Sequence, residues 1–300
     1  MGEQASGLVV VPGRLGIPYA VISPLYKYAH GRVVSLLGVD SIDDALEADA
    51  VTRVLLVMNA DFGSVWHVRK RLLLDGRLTL DAEIKFIDLV YTKHFKAQEA
   101  WAHRRWLFLR HTDAPARRRA VQSELAACER AADCYPKNYM AWTHRHFVAR
   151  HLDSDELIAE LNAHLSFAVR HVSDHASFQY RSFLLDLAAG LFSPPKAAAL
   201  LQAEAEFNTE LITRFPGHEA LWCHRRFLAA RGALAGQEEL AWCASVAADP
   251  TVAKRGEQDR CARAYALFRK HLETPLRGEE LYKQLTGDRL LSRARAPSST

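Results

Sequence analysis

A four-residue phrase returns five times in this 300-residue chain, and no other feature constrains its fold as tightly. The copies are Trp66-His67-Val68-Arg69, Trp101-Ala102-His103-Arg104, Trp142-Thr143-His144-Arg145, Phe178-Gln179-Tyr180-Arg181 and Trp222-Cys223-His224-Arg225. An aromatic leads each copy and Arg closes it. His or Tyr precedes that Arg in every copy but the first, which has Val68. A second aromatic stands five places after the anchor at Trp106, Phe147, Phe183 and Phe227, where the first copy has Arg71. The anchors are 35, 41, 36 and 44 residues apart. That is the length of a helical hairpin plus a loop of variable size, so the period predicts stacked helical pairs.

Short breaks precede the anchors, most plainly Tyr135-Pro136-Lys137-Asn138-Tyr139 and Phe215-Pro216-Gly217-His218-Glu219. Proline fits at or before a first helical turn, and Asn138 and Asp174 are placed to accept the free N–H groups there. Between the breaks run amphipathic stretches. Asp81 to Tyr91 carries Ile84, Ile87 and Tyr91 on one stripe. Asp155 to Val172 follows an Asp153/Glu156 capping-box pair and carries Leu157, Leu161, Leu165 and Ala168. A third stretch after Pro194-Pro195 has Leu200, Ala203 and Phe207 in register. No alternating strand pattern appears, and 15 Gly and 11 Pro are too few for a turn-rich β chain. The expectation is an all-α chain, a right-handed α-solenoid of helical hairpins in a TPR-like crescent. It would comprise an N-terminal segment 1–40, five repeats within 41–290 and a disordered tail 291–300.

In such a stack the anchor and its Arg share one helix face. Each guanidinium would then lie near its own Trp while its fork takes carbonyls or carboxylates of a neighbouring hairpin. That reading makes the motif residues structural, with ligand contact as the alternative, and it places chemistry in the breaks at one edge of the stack. Lys137 stands out there: it is either a solvated loop lysine or a cation held at a helix mouth to neutralise an anion.

The balance of 39 basic against 35 acidic residues gives a net charge of +4, too mild for a nucleic-acid or membrane field. The tandem His-Arg-Arg runs could suggest RNA contact, but their repeated Arg is coupled to a core-type Trp. The five cysteines, Cys128, Cys134, Cys223, Cys243 and Cys261, are odd in number and show no CxxC, which suits buried cytosolic thiols and a cytoplasmic protein. No uncharged run approaches the ~18 residues that span a bilayer. Glu3 and the lack of a basic leader argue against a secretory signal, while Met1-Gly2-Glu3-Gln4-Ala5-Ser6 fits the loose myristoylation pattern or a chance match to it. GxSxG, P-loop, GxGxxG and HExxH motifs are absent. His171 and His175 flank Val172-Ser173-Asp174, which reads as a helix boundary and not as a zinc-binding face.

Taken together, these residues resemble the α-subunit repeat of protein prenyltransferases, the family of farnesyltransferase and the geranylgeranyltransferases. Roughly residues 59–230 fit the form (Asn-Tyr or a substitute)-x-x-Trp-x-x-Arg, and Lys137-Asn138-Tyr139-Met140-Ala141-Trp142-Thr143-His144-Arg145 fits it best. Within the family, Val172-Ser173-Asp174-His175 and Phe215-Pro216-Gly217-His218-Glu219-Ala220-Leu221-Trp222-Cys223-His224-Arg225-Arg226 are most similar to the type III geranylgeranyltransferase branch.

The resemblance implies the α, non-zinc subunit of a heterodimeric protein geranylgeranyltransferase. Its crescent would wrap a β subunit, the Rab geranylgeranyltransferase β subunit by likeness, and β would hold the zinc and the isoprenoid diphosphate. The reaction would transfer the isoprenoid to a C-terminal cysteine of a protein substrate. Lys137 matches the family lysine that reaches the diphosphate and is the implied catalytic residue. Tyr139, Asn138, His175 and His218 are the implied contacts to substrate or partner, and no metal ligand is expected in this chain. Departures fall at Ala97-Gln98, Val68 and Phe178. A helical scaffold that binds a partner without supporting transfer is the alternative.

Overall fold

The computed structural model describes residues 9–11, 14–16, 19–37, 44–111, 113–135, 137–234, 236–248 and 255–273. The expected tail 291–300 and Gly2 lie outside them. Thirteen helices occupy most of this length, and the chain is all-α apart from one small feature that the pattern of the sequence did not suggest. Two three-residue strands, β1 (Val9–Val11) and β2 (Arg14–Gly16), pair antiparallel with Val10 opposite Leu15. Three consecutive β-branched valines favour extended backbone even in a helical protein.

The chain divides into two compact units, 1–148 and 149–300. The first holds α1 (Tyr19–Leu37), α2 (Ala45–Met58), α3 (Gly63–Leu74), α4 (Leu80–His94), α5 (Gln98–Phe108), α6 (Ala114–Cys134) and nearly all of α7 (Tyr139–Ala149). Helices α2 and α3 form one hairpin and α4 and α5 the next, with α2 against α4 and α3 against α5. First helices thus stack on first helices and second on second, as repeat packing requires. Helix α1 lies within the segment read as a leader to the repeats, yet it packs on α2 and buries Ala29 and Val33 in the same core as Trp66 and Trp101.

The second unit holds α8 (Ser154–Arg170), α9 (His175–Leu191), α10 (Pro194–Arg214), α11 (Glu219–Ala230), α12 (Gly236–Ala248) and α13 (Arg255–Glu273). Here α8 pairs with α9 and α10 with α11, and α9, α11 and α13 follow one another as second helices. The core gathers Phe178, Leu211, Ile212, Leu221, Trp222 and Tyr265.

Local signals set the helix ends. Asp44, Thr79, Asp113, Asp153 and Asp174 each cap a helix with a side-chain oxygen, and Asp153 and Glu156 form the reciprocal capping box. His171 is the C-cap of α8 and His175 the first residue of α9, so the two stand on different helices. The stripe expected on α10 is corrected: Ala203 is exposed, and the buried face runs through Ala197, Glu204, Asn208 and Leu211. Polar residues hold core positions there because they serve an ionic network.

Candidate functional site

The repeated Arg and His side chains build that network. Glu83 on α4 takes the Arg69 guanidinium on one side (Nε–H donating at 2.8 Å) and His103 Nε2 on the other at 2.9 Å. Glu124 on α6 joins Arg104 (2.7 Å) and His144 (2.6 Å) in the same way. In the second unit Glu204 on α10 joins Arg181 (2.7 Å) and His224 (2.8 Å), Glu160 accepts from the Tyr180 hydroxyl, and Glu239 takes both prongs of Arg225. Every one of these groups is buried.

A carboxylate so deep persists because two donors serve it. Burial alone would raise its pKa, yet the His103 and Arg69 contacts bring Glu83 down to about 2, and Arg181 and His224 do the same to Glu204. Burial pushes His103 and His144 down, so both rings are neutral at pH 7. Their Nδ1 atoms have no partner among the described residues. That suits a bare acceptor, whereas a second ring N–H there would be a buried unpaired donor.

The fork of each Arg thus meets a carboxylate, as expected, but its stacking partner is corrected. Among the described residues only Arg145 lies over its own Trp142, at 5.7 Å. Arg69 covers Phe86 at 4.4 Å, Arg181 covers Phe207 at 5.2 Å and Arg225 covers Trp242 at 3.9 Å. Each of those rings lies three residues after the Glu that binds the same Arg, so one helix face offers carboxylate and ring together. Arg104 instead covers Tyr91 at 5.5 Å.

With the interior paired off, the open chemistry sits at the turns that precede the second helices. Asn138 is wholly buried. Its Nδ2 donates to Phe95 O at 2.8 Å and its Oδ1 accepts the Ala141 N–H at 3.3 Å. It is a fixed cap that ties two turns together, and its side chain is not presented as a contact surface. On either side of it the chain turns outward. Lys137 is exposed at φ 61°, the one positive φ outside glycine among the described residues. Tyr139 is 73% exposed at the start of α7. Tyr139 also walls a cleft of about 420 Å³ between α5 and α7, with Gln98, Trp101, Arg105, Met140 and His144.

One exposed cation beside this turn was not singled out from the sequence. Lys96 stands five places before Trp101, as Lys137 does before Trp142, and its ammonium lies 3.4 Å from the centre of the Tyr135 ring. Shared register was the available signal.

The other two expected contacts belong to the second unit. His175 is exposed, and His218 occupies the N-cap register of α11 without capping it, its Nδ1 bonding Ser173 Oγ at 2.7 Å. Among the described residues no three His, Cys, Asp or Glu side chains converge on a metal site, and no helix is long and apolar enough to cross a membrane. All five thiols are unbridged, and burial together with Glu239 pushes Cys243 up to about 12.

Comparison with known proteins bears on what this arrangement is. The protein prenyltransferase alpha subunit repeat matches residues 80–111, 121–152 and 201–231, stretches centred on the hairpins α4–α5, α6–α7 and α10–α11. The human protein prenyltransferase alpha subunit repeat-containing protein 1 is 34% identical, over 74% of this chain and 68% of its own length. The chain belongs to the protein prenyltransferase alpha subunit repeat family. A zebrafish (Danio rerio) relative of the same description is 32% identical, over 74% of this chain and 63% of its own length. The rat (Rattus norvegicus) geranylgeranyl transferase type-2 subunit alpha is 26% identical, over 69% of this chain and 37% of its own. Members of this family are α subunits of protein prenyltransferases, enzymes whose catalytic site lies in the β subunit. The hairpins outside the matched stretches include those anchored at Trp66, with Val68 in the His position, and at Phe178.

Proposed function

We propose that this chain is the α subunit of a heterodimeric protein geranylgeranyltransferase that acts on a C-terminal cysteine of a protein substrate. Its partner is a β subunit that carries the zinc and the isoprenoid diphosphate, and the Rab geranylgeranyltransferase β subunit is the first candidate. The cytoplasm is the compartment this reading implies. The observation that carries it is the exposed cation at Lys137. A lysine held in left-handed backbone costs roughly 1–2 kcal/mol. Strain of that kind concentrates where a side chain must be aimed.

The residues present suit an anionic group: an ammonium, a neighbouring phenol hydroxyl at Tyr139 and no carboxylate paired with Lys137 among the described residues. When bound in β, the diphosphate would leave as the isoprenoid is transferred, and its charge would grow as the bond to carbon breaks. The part of this chain is to bring the Lys137 ammonium to those oxygens across the interface. One well-placed donor is worth ~3–4 kcal/mol to such a step. His175 and His218 offer further polar contacts on the second unit.

Co-expression with the Rab geranylgeranyltransferase β subunit, followed by an assay of geranylgeranyl transfer, tests the reading. A stable complex that transfers lipid, and in which Lys137→Ala lowers turnover more than assembly, supports it. A stable complex without turnover favours a scaffold that holds a partner by the same surface. Transfer at the wild-type rate by Lys137→Ala would remove the diphosphate role.

A further inference from the structure

Lys96 and Lys137 come from different repeats, yet the fold delivers them to one place. The Asn138 side chain bonds Phe95 O at 2.8 Å, so the residues beside the two lysines are joined directly. The Phe95 and Tyr135 rings pack at 5.2 Å across the same junction, and the Lys96 ammonium sits on the Tyr135 ring, two residues before Lys137. A cation over an aromatic face keeps its outer side free for an anion while its position is restrained. Neither lysine has a carboxylate partner among the described residues.

Two exposed cations on directly joined turns fit a ligand with two adjacent anionic groups. We propose that Lys96 is a second binding residue of this rim and that Lys96 and Lys137 together hold the two phosphates of a diphosphate. The identity of that diphosphate as a prenyl donor rests on the function proposed above, whereas the anion site itself rests on the geometry of the two turns.

The test uses the full chain and inorganic pyrophosphate, with orthophosphate as comparison, titrated by calorimetry at low salt. Wild type is expected to bind pyrophosphate more tightly than orthophosphate, because only the longer ion meets both lysines. Lys96→Ala, and Lys96→Gln as a second variant, should each weaken pyrophosphate binding by about three- to tenfold, the range for one charged contact at an exposed site. Lys96→Arg should restore most of it. The double variant Lys96→Ala/Lys137→Ala should show no preference for pyrophosphate. Lys196, which sits on Phe192 at 4.1 Å in the second unit, is the control, and Lys196→Ala should bind as wild type does. Wild-type affinity in both Lys96 variants overturns the proposal, as does equal weakening by Lys196→Ala. If pyrophosphate binding depends on both lysines but the complex with β transfers no lipid, the anion site stands and the prenyltransferase reading falls. If the complex transfers lipid and needs Lys137, while Lys96→Ala leaves both pyrophosphate affinity and the KM for geranylgeranyl diphosphate unchanged, the reading stands and this inference falls.

Discussion

Glu204→Gln is the sharpest probe of the buried network. Glu204 is 4% exposed, accepts both prongs of the Arg181 guanidinium and accepts from His224 Nε2 at 2.8 Å. The variant keeps the shape but removes the charge, leaving the buried Arg181 guanidinium with a neutral amide oxygen, an amide NH2 in place of its second acceptor, and Leu161 O. Removing one member of a buried pair costs ~3–5 kcal/mol. The titration of Glu204 gives a second route to the figure. A carboxyl displaced from 4.5 to about 2 corresponds to about 3 kcal/mol, at about 1.4 kcal/mol per pH unit. The sign follows from proton binding. Below its ordinary pKa the unfolded chain takes up a proton that the folded chain refuses, so this stability is complete above about pH 4.5 and is lost as the pH falls toward about 2. Urea unfolding followed from pH 7 to 3 should show Glu204→Gln less stable by about 3 kcal/mol at pH 7, with less than half of that gap left at pH 3. Hydrogen exchange at pH 7 should locate the loss in α9 and α11 and leave α3 and α5 as protected as before. A gap under about 1 kcal/mol at pH 7, or one that does not shrink with acid, would refute the reasoning.

Three further outcomes follow from other parts of the chain. His103 and His144 are held neutral by burial, so stability should fall as the pH drops below about 6.5, where the unfolded rings charge first; in His144→Gln, urea midpoints should depend less on pH across that window. Trp222 is 1% exposed and its Nε1 donates to Gln258 Oε1 at 3.2 Å, so Trp222→Ala should cost ~3–5 kcal/mol in denaturant unfolding. Lys137→Gly removes the left-handed strain along with the charge, so its stability should stay within about 1 kcal/mol of wild type. Transfer by the complex with β should nevertheless fall by at least about tenfold, which separates a backbone role from an electrostatic one.

Periodicity carried the fold because the repeat is written in large aromatic and cationic residues that few other contexts would space this way. The Asp153/Glu156 pair was equally readable, since capping is local. The acidic half of the ladder was harder to see. Glu83, Glu124, Glu160 and Glu204 each stand 20 residues before the His or Tyr they bind, a constant set by hairpin length. Reading from Trp to Trp mixes that constant with the variable loop and hides it. Placing each Arg on its own Trp failed because a side chain leaving a helix reaches the neighbouring helix more readily than it folds back. Ala203 looked apolar in register, but the face that turns inward on α10 is chosen by Glu204. Lys96 was passed over because Ala97-Gln98 departs from the family pattern, although the cation just before it keeps its register.

The first hairpin shows why the ladder has the members it has. Twenty residues before Val68, where the other hairpins carry Glu, stands Ala48, and both residues are fully buried. A Glu at that place would need a buried Arg from an earlier helix and a His from its own. The Arg of α1, Arg32, instead pairs at the surface with Glu47, one position away. With neither donor at hand, a buried carboxylate would be an uncompensated charge, and an apolar pair is the stable alternative. The buried carboxylates of Glu83, Glu124 and Glu204 stand instead where an Arg and a His both reach them. At the rim, Lys96 and Lys137 are exposed to water, and no acid is paired with either among the described residues. Two exposed cations on joined turns are suited to an anion brought by another molecule.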